Sequence, residues 1–306
     1  MAVQTRSIKR RLKSVRNTRK ITKAMELVAA SKMRKAVSSA LGSRPYAKIA
    51  WETVRSVAQV ADVSLHPLLK PREGKPAKAL LVLITSDRGL AGGFNANAVK
   101  HALAEVRKTG ASSVSAVCVG RRGAEAVKRA GYPVLASFVD ITNKPSFADI
   151  LPIGRMAVEE YLAGRCDTVL LAYTDFVSAL TQRPAVLELL PLDDEARKAP
   201  GGKAAAEAEA FTPEASRPSD FTFEPSPQAV LDALLPRIVE AMTYQAVLES
   251  AASEHSARML AMRSASDAAS EMIDDLNFTF NQARQAGITQ EIAEISSGKA
   301  ALESSQ

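Results

Sequence analysis

Aromatic residues make up only 5% of this 306-residue chain, and there is a single tryptophan. A chain so short of large flat side chains, and rich in alanine, favours helices over β-sandwiches or barrels. Cysteine is almost missing: Cys118 and Cys166 stand far apart and outside any CxxC pattern. That excludes a disulfide scaffold and a zinc ribbon, and it fits a reducing compartment. The three histidines, His66, His101 and His255, are scattered, with no second histidine at metal-ligand spacing. Each is expected to be satisfied in the fold or to face solvent. Long apolar runs are missing too; the strongest extend over about eight residues, far short of the roughly 20 that span a bilayer. Acids are nearly absent from the first 35 residues, which are rich in Arg, Lys, Ser and Thr. Such a composition also marks organellar transit peptides, but here the pattern continues unbroken into further helix. The segment therefore reads as mature structure, in a soluble protein with no export signal.

What is present starts with charge. The net +7 hides an asymmetry: residues 1–60 carry fifteen Lys/Arg against Glu26 and Glu52, a local +13. Residues 237–306 carry five basic and ten acidic residues, a local −5, and the middle is close to neutral. The two ends are electrostatically complementary.

No proline interrupts Ala2 to Arg44, and apolar or small residues fall at Ile8, Leu12, Val15, Thr18, Ile21, Met25 and Val28. Steps of three and four make a helical stripe. The stretch "SRPYAKIAWETVRSVAQVA" resumes the helix after Pro45, a residue able to kink it, and "HPLLKPREGKP" at 66–76 ends it. From Pro236 onward there is no further proline. A seam starts at Ile238 and passes through Met242, Gln245, Leu248, Ala252, His255, Met259, Met262, Ser266, Ala269, Ile273, Leu276, Phe280, Ala283 and Gly287. Its mean step of 3.5 residues is the heptad value, which implies a left-handed supercoil. Many seam residues are small, so the partner helix must come close. The basic N-terminal helix is the expected partner. Sixty helical residues would make a rod of about 90 Å, so a shaft with a knob is expected rather than a folded-back bundle.

The knob is residues 78–192. Strand-like runs at 79–85, 113–119, 134–139, 168–174 and 185–192 alternate with helix-like segments near 95–109, 122–131 and 147–164. This rhythm predicts βαβ units and a mostly parallel sheet. Residues 193–224, rich in Ala, Glu, Pro and Gly with few core formers, read as a flexible insert.

One loop invites a chemical reading. "SDRGLAGGFNAN" (86–97) leaves a buried strand as phosphate loops do. It has no GxxxxGK[ST], and "GLAGGF" is not GxGxxG. Asp87 and Arg88 make a single ion pair at most, not a triad. The expected role of Gly89, Gly92 and Gly93 is a tight turn with positive φ. The basic segment "RSIKRRLKSVRNTRKITK" raises nucleic acid as a partner, with Arg10, Arg11 and Lys13 as its contacts, but it lacks interleaved aromatics. Met25 and Met33 read as packing residues.

Three segments together resemble the γ-subunit family of F-type ATP synthases: "RNTRKITKAMELVAASKMRKA" (16–36), "SDRGLAGGFN" (86–95), and residues 224–298 from "EPSPQAVLDALL" to "EIAEISSG". They occur in the family's order and cover nearly the whole chain except 193–223. The resemblance implies an α/β fold of a particular build. A long antiparallel coiled coil of the N- and C-terminal helices (1–65 and 225–306) accompanies a Rossmann-like α/β domain (77–192) with a mostly parallel sheet. It implies a non-catalytic central rotor that transmits torque between a membrane c ring and a ring of three α and three β subunits, with an ε subunit docked on the α/β domain. No cofactor, metal or nucleic acid is implied. Membrane contact is indirect, through the c ring, on the cytoplasmic face of a bacterial plasma membrane. By this resemblance the rotor-to-β contacts are Met25 in "KAM", Arg258 in "ARM", and the polar cluster Gln285, Thr289 and Glu291. Lys32, Lys35 and Arg88 are expected near an acidic lever loop of β. The family's "GLCGG" has Ala91 in place of its cysteine here, which removes any thiol role. The insert lacks the cysteine pair of the redox-regulated chloroplast form. The alternative kept beside this reading is a basic coiled-coil protein that binds nucleic acid or serves as a scaffold.

Overall fold

The computed structural model describes residues 2–58, 66–70, 72, 76–192, 224 and 226–303. All of the expected flexible insert at 193–224 except Glu224 lies outside the described residues, as does the end of the expected N-terminal segment at 59–65. The described elements run in the order α1 (Ala2–Ala58), β1 (Lys78–Ile84), α2 (Phe94–Thr109), β2 (Ser113–Val119), α3 (Arg121–Arg129), β3 (Val134–Phe138), α4 (Phe147–Leu162), β4 (Thr168–Phe176), β5 (Gln182–Leu190) and α5 (Pro227–Glu303). Each expected strand and helix between 78 and 192 is present. β5 starts earlier than its apolar run because Pro184, which cannot donate to a ladder, sits on an edge strand. Helical structure is continuous through Pro45, and α5 already holds nine residues before Pro236, so neither proline ends its helix.

The chain forms two compact units, Met1–Val28 with Met259–Gln306, and Ala29–Arg258. In the first unit the start of α1 pairs antiparallel with the end of α5. Arg16 donates to Asn277 (3.4 Å), Arg19 to Ser270 (3.4 Å), and the Thr22 and Ser266 hydroxyls share a 2.7 Å hydrogen bond. The expected α5 seam is the buried one: Met262, Ser266, Ala269 and Ile273 are buried, and Leu276, Phe280, Ala283 and Gly287 are half-buried. On α1 the expected stripe holds at Ile8, Leu12, Val15 and Met25, which are half-buried. Thr18, Ile21 and Val28 are exposed, and the buried line passes instead through Thr22, and through Ala29, Ala36 and Ala40 in the second unit. The reason is geometric. A pairing seam must keep the 3.5-residue step, and on α1 that step falls on Thr22 and the alanines, so Ile21 and Val28 are turned outward.

In the second unit five strands form one sheet in the order β3-β2-β1-β4-β5. The first four are parallel and β5 is antiparallel to β4. β1 is central and buried on both faces, which explains its unbroken run of apolar residues. Its alternate residues Leu80, Val82 and Ile84 meet α4 and α5 on one side of the sheet. Ala79, Leu81 and Leu83 meet α2 and α3 on the other. Between Ile238 and Ser256, α5 is buried almost all round, so it is a core helix there and not one strand of a simple coiled coil. On its α1 side the contact is tight, with Ala36 against Ala251 and Ala252.

Candidate functional site at the carboxyl edge of the sheet

In open α/β sheets the ligand crevice lies outside the carboxyl ends of the strands, where the strand order reverses. Here β1 leads outward to β2 and β3, and the chain then returns to β4 on the other side of β1. The reversal therefore falls between β1 and β4, which run parallel with Leu83 opposite Ala172. That crevice is occupied by α5. The Ser250 hydroxyl accepts from the Thr174 N–H (3.0 Å), and Ser253 donates to the Thr174 carbonyl (3.2 Å). Ser256 donates to the Ala179 carbonyl (2.5 Å). One turn of Arg258 reaches the next loop, where its Nη2 donates to the carbonyls of Gly89 (3.3 Å) and Arg88 (3.5 Å). The chain's own helix thus engages the Thr174 backbone and the Ala179, Arg88 and Gly89 carbonyls at this edge.

The loop after β1 is held equally firmly. Thr85 donates to the Val119 carbonyl (3.0 Å) and accepts from the Gly123 N–H (2.8 Å). Gly120 (φ +91°) approaches so closely that a Cβ would lie 2.3 Å from the Thr85 carbonyl oxygen. Ser86 is clamped by Asn95, whose Oδ1 accepts the Ser86 N–H (3.0 Å) and whose Nδ2 donates to the Ser86 hydroxyl (2.8 Å). Asp87 is not paired with Arg88. Its carboxylate accepts the N–H groups of Arg121 (3.1 Å) and Asp140 (2.8 Å). Arg121 opens α3, so a carboxylate of the chain sits on the helix terminus that would attract a phosphate. The glycine reading also needs correction. Of the three loop glycines only Gly92 has positive φ (+56°); the other residue in the left-handed region is Leu90 (φ +62°), not Gly89 or Gly93. A leucine there carries strain of roughly 1–2 kcal/mol.

Beneath the loop lies a buried charged cluster. Arg258 donates to Glu254 Oε1 (2.7 Å), and the two side chains are 13% and 6% exposed. Burial pushes the Glu254 pKa up and Asp87 adds to this, while Arg258 and Thr142 pull it back. His255 next to it is held down to about 4, first by burial and then by the positive Arg258 and Lys32. It is neutral at neutral pH, and its Nδ1, 3.4 Å from Arg258, must be the acceptor, because a guanidinium only donates. Burial pushes the Cys118 thiol up to about 11 and the Cys166 thiol up to about 12, so both are unreactive. Among the described residues no group of His, Cys, Asp and Glu could hold a metal ion, and no helix is long and apolar enough to cross a membrane. The arrangement can position rigid loops; it holds no nucleophile with an adjacent base.

The residues expected at functional contacts fall into two groups. Arg258, Lys32 and Arg88 come together in the second unit: Lys32 donates to Asn143 and bears on His255, and Arg88 offers its carbonyl to Arg258 while its side chain is exposed. Lys35 is exposed on α1 of the same unit. In the first unit Met25 is half-buried, and Gln285, Thr289 and Glu291 are exposed on α5. Sequence reasoning missed Asp87 as a loop clamp, Glu254 as the partner of Arg258, and the hydroxyls Ser250, Ser253 and Ser256. The recurrence of serine at three-residue steps in an otherwise Ala- and Leu-rich helix was the available signal for the hydroxyls.

Comparison with known proteins supplies the identity. The ATP synthase family model matches residues 4–302. The ATP synthase gamma chain of Heliobacterium modesticaldum is 46% identical over 298 residues, covering 97% of this chain and 98% of that one. That of Alkaliphilus metalliredigens is 42% identical over 302 residues, covering 99% and 100%. Among solved structures, a central stalk and c-ring assembly of the Tetrahymena thermophila mitochondrial ATP synthase contains a similar chain. It has 27% identity and a TM-score of 0.58 over 80% of this chain and 99% of that one. The fold also matches a chain in the Euglena gracilis mitochondrial ATP synthase, with a TM-score of 0.66 at 18% identity over 99% of this chain and 95% of that one. The nucleic-acid alternative finds no support in these likenesses. A match along nearly the whole length, at more than 40% identity, means that this chain belongs to the ATP synthase gamma-chain family.

Proposed function

We propose that the chain is the non-catalytic central rotor of an F-type ATP synthase, carrying torque between a membrane-embedded c ring and a ring of three α and three β subunits. An ε subunit docks beside its α/β domain. The complex works on the cytoplasmic face of a bacterial plasma membrane, with this chain peripheral to the bilayer and without a cofactor or nucleic-acid partner. The functional segments are the shaft helices of 1–65 and 225–306, the α/β domain of 77–192 and the insert of 193–224. Met25, Arg258, Gln285, Thr289 and Glu291 contact β as the rotor. Lys32, Lys35 and Arg88 face an acidic lever loop of β.

The observation that carries this reading is the filled switch point. The crevice where a nucleotide would bind is taken by Ser250, Ser253, Ser256 and Arg258 of α5, and the anion position on α3 by Asp87. A domain that closes its own ligand crevice with a long helix couples that helix to the sheet. Nucleotide chemistry then belongs to a partner, and coupling arises because an asymmetric chain contacts three equivalent sites unequally. Purified chain alone is expected to hydrolyse no ATP and to restore hydrolysis when mixed with α and β. Robust hydrolysis by the chain alone would overturn the reading.

A further inference from the structure

Two polar contacts lie in the seam where α1 meets α5, a place that paired helices mostly give to apolar side chains. In the first unit the buried hydroxyls of Thr22 and Ser266 share a 2.7 Å hydrogen bond. Each hydroxyl also faces a carbonyl of its own helix, Thr22 that of Arg19 (3.1 Å) and Ser266 that of Met262 (2.9 Å). One hydrogen therefore crosses between the helices while the other stays on its own. In the second unit the buried side chain of Gln245 reaches α1 through both ends of its amide. Its oxygen accepts the Ser43 hydroxyl, and its nitrogen donates to the Ala40 carbonyl (3.4 Å) and to Glu249 (2.9 Å). Thr22 and Ser43 stand three heptads apart on α1, and Gln245 and Ser266 stand three heptads apart on α5. Both pairs thus belong to one heptad phase of antiparallel pairing.

The small apolar contacts do not set that phase by themselves. Ala36 packs against Ala252, and Ala29, one heptad before it, is buried and identical. A slip of α1 by one heptad would seat Ala29 where Ala36 sits, with no change in the shape of that contact. Three further links of α1 use long exposed side chains that can find new acceptors: Arg16 on Asn277, Arg19 on Ser270 and Lys32 on Asn143. The polar pairs do discriminate. A slip one way sets Thr22 opposite Met259 and Gln245 opposite Ala36; a slip the other way sets Thr22 opposite Ile273 and Ser43 opposite Ala252. Each arrangement takes the crossing hydrogen bonds away from buried polar groups, which is unfavourable.

We infer that the Thr22–Ser266 and Ser43–Gln245 pairs are register pins, which hold α1 in a single axial phase against α5. Their consequence for function rests on the rotor reading. Met25 lies one turn from Thr22 on α1, whereas Gln285, Thr289 and Glu291 lie on α5. A one-heptad slip would move α1 by about 10 Å along α5. The two parts of the contact with β would then no longer meet it together. The pins are positioning residues that act through these side chains.

The test uses the full chain with cysteine pairs as rulers, since the native Cys118 and Cys166 are buried and unreactive. Ala36→Cys with Ala252→Cys reports the observed phase, and Ala29→Cys with Ala252→Cys reports the slipped one. In the parent the first pair closes under mild oxidation and the second stays open. A depinned chain carries Thr22→Val, Ser266→Ala, Ser43→Ala and Gln245→Met. In it the second pair closes at least about tenfold faster than in the parent, with the far-UV helical signal kept. Thr22→Ser with Ser266→Thr keeps the parent pattern. On the α and β ring the depinned chain restores about tenfold less ATP hydrolysis, and closing its first cysteine pair brings this back to within about twofold of the parent. A depinned chain that closes only the first pair overturns the pins. So does one that loses its helices, because the four side chains would then hold the fold and not its phase. A slipped chain that restores full hydrolysis overturns the consequence for β. If the parent restores no hydrolysis, the rotor reading falls, and the cysteine pairs still decide the pins.

Discussion

At the scale of single residues, the chain settles buried charge by giving each group a specific partner. Glu254 and Arg258 are enclosed together, and the guanidinium then spends its remaining donors on backbone carbonyls of the loop after β1. Removing one member of such a pair leaves an uncompensated charge, a cost of about 3–5 kcal/mol. His255 beside them is kept neutral, and this has a consequence for pH dependence. Its folded pKa of about 4 lies below the ordinary value of 6.5, so the unfolded chain binds the proton more readily. The stability contributed by the neutral imidazole is complete above about pH 6.5 and is lost as the pH falls towards about 4. Burial also raises the Glu254 pKa and lowers that of His66, and His255→Gln keeps both groups in place. The denaturant midpoint of the parent should therefore fall more steeply between pH 6.5 and 4 than that of His255→Gln, by up to about 3 kcal/mol in unfolding free energy. Parallel curves for the two proteins would show that His255 is not held neutral.

At the scale of elements, α1 shows how pairing geometry overrides apolarity. Ile21 and Val28 are larger and more apolar than Thr22 and Ala29, yet the smaller residues are the buried ones. A strict seam needs side chains that permit close approach, and the outward-facing apolar residues are left for other contacts. Ala36 illustrates the constraint, since it packs against Ala251 and Ala252. Ala36→Leu is expected to overpack this contact and cost about 1–3 kcal/mol, whereas Val28→Ser should shift stability by no more than about 0.5 kcal/mol. Chemical denaturation of both variants makes the comparison. Equal effects would mean that the seam does not run through Ala36. The sheet was the more legible element: its strands were found from period and apolar runs, because central parallel strands buried on both faces need continuous apolar sequence. The antiparallel placement of β5 was not legible, because a strand's direction depends on its connection and neighbour rather than on its own residues.

At the scale of the whole molecule, Ser250, Ser253, Ser256 and Arg258 tie α5 to β4 and to the loops after β1 and β4, while charged and apolar side chains stand exposed elsewhere. Gln285, Thr289 and Glu291 are exposed on α5, so they test the rotor assignment without disturbing the core. Replacing all three by alanine should leave the melting temperature of the free chain unchanged and lower the ATP hydrolysis that the chain restores to the α and β ring by about tenfold or more. Full stimulation by that triple variant would remove these residues from the contact with β.

The sequence by itself determined the elements, the heptad step of α5, the opposite charges of the two ends and the failure of "SDRGLAGGFN" as a phosphate loop. Each of these follows from local spacing, and helix and strand periods are properties of the backbone alone. Only the tertiary structure decided why the loop cannot take a phosphate. Asp87 reaches residues 34 and 53 positions away, and Arg258 reaches back 169 and 170 positions to Gly89 and Arg88. Those partners are brought together by the reversal of strand order and the passage of α5 across it. No local pattern encodes which distant carbonyl a buried guanidinium will meet.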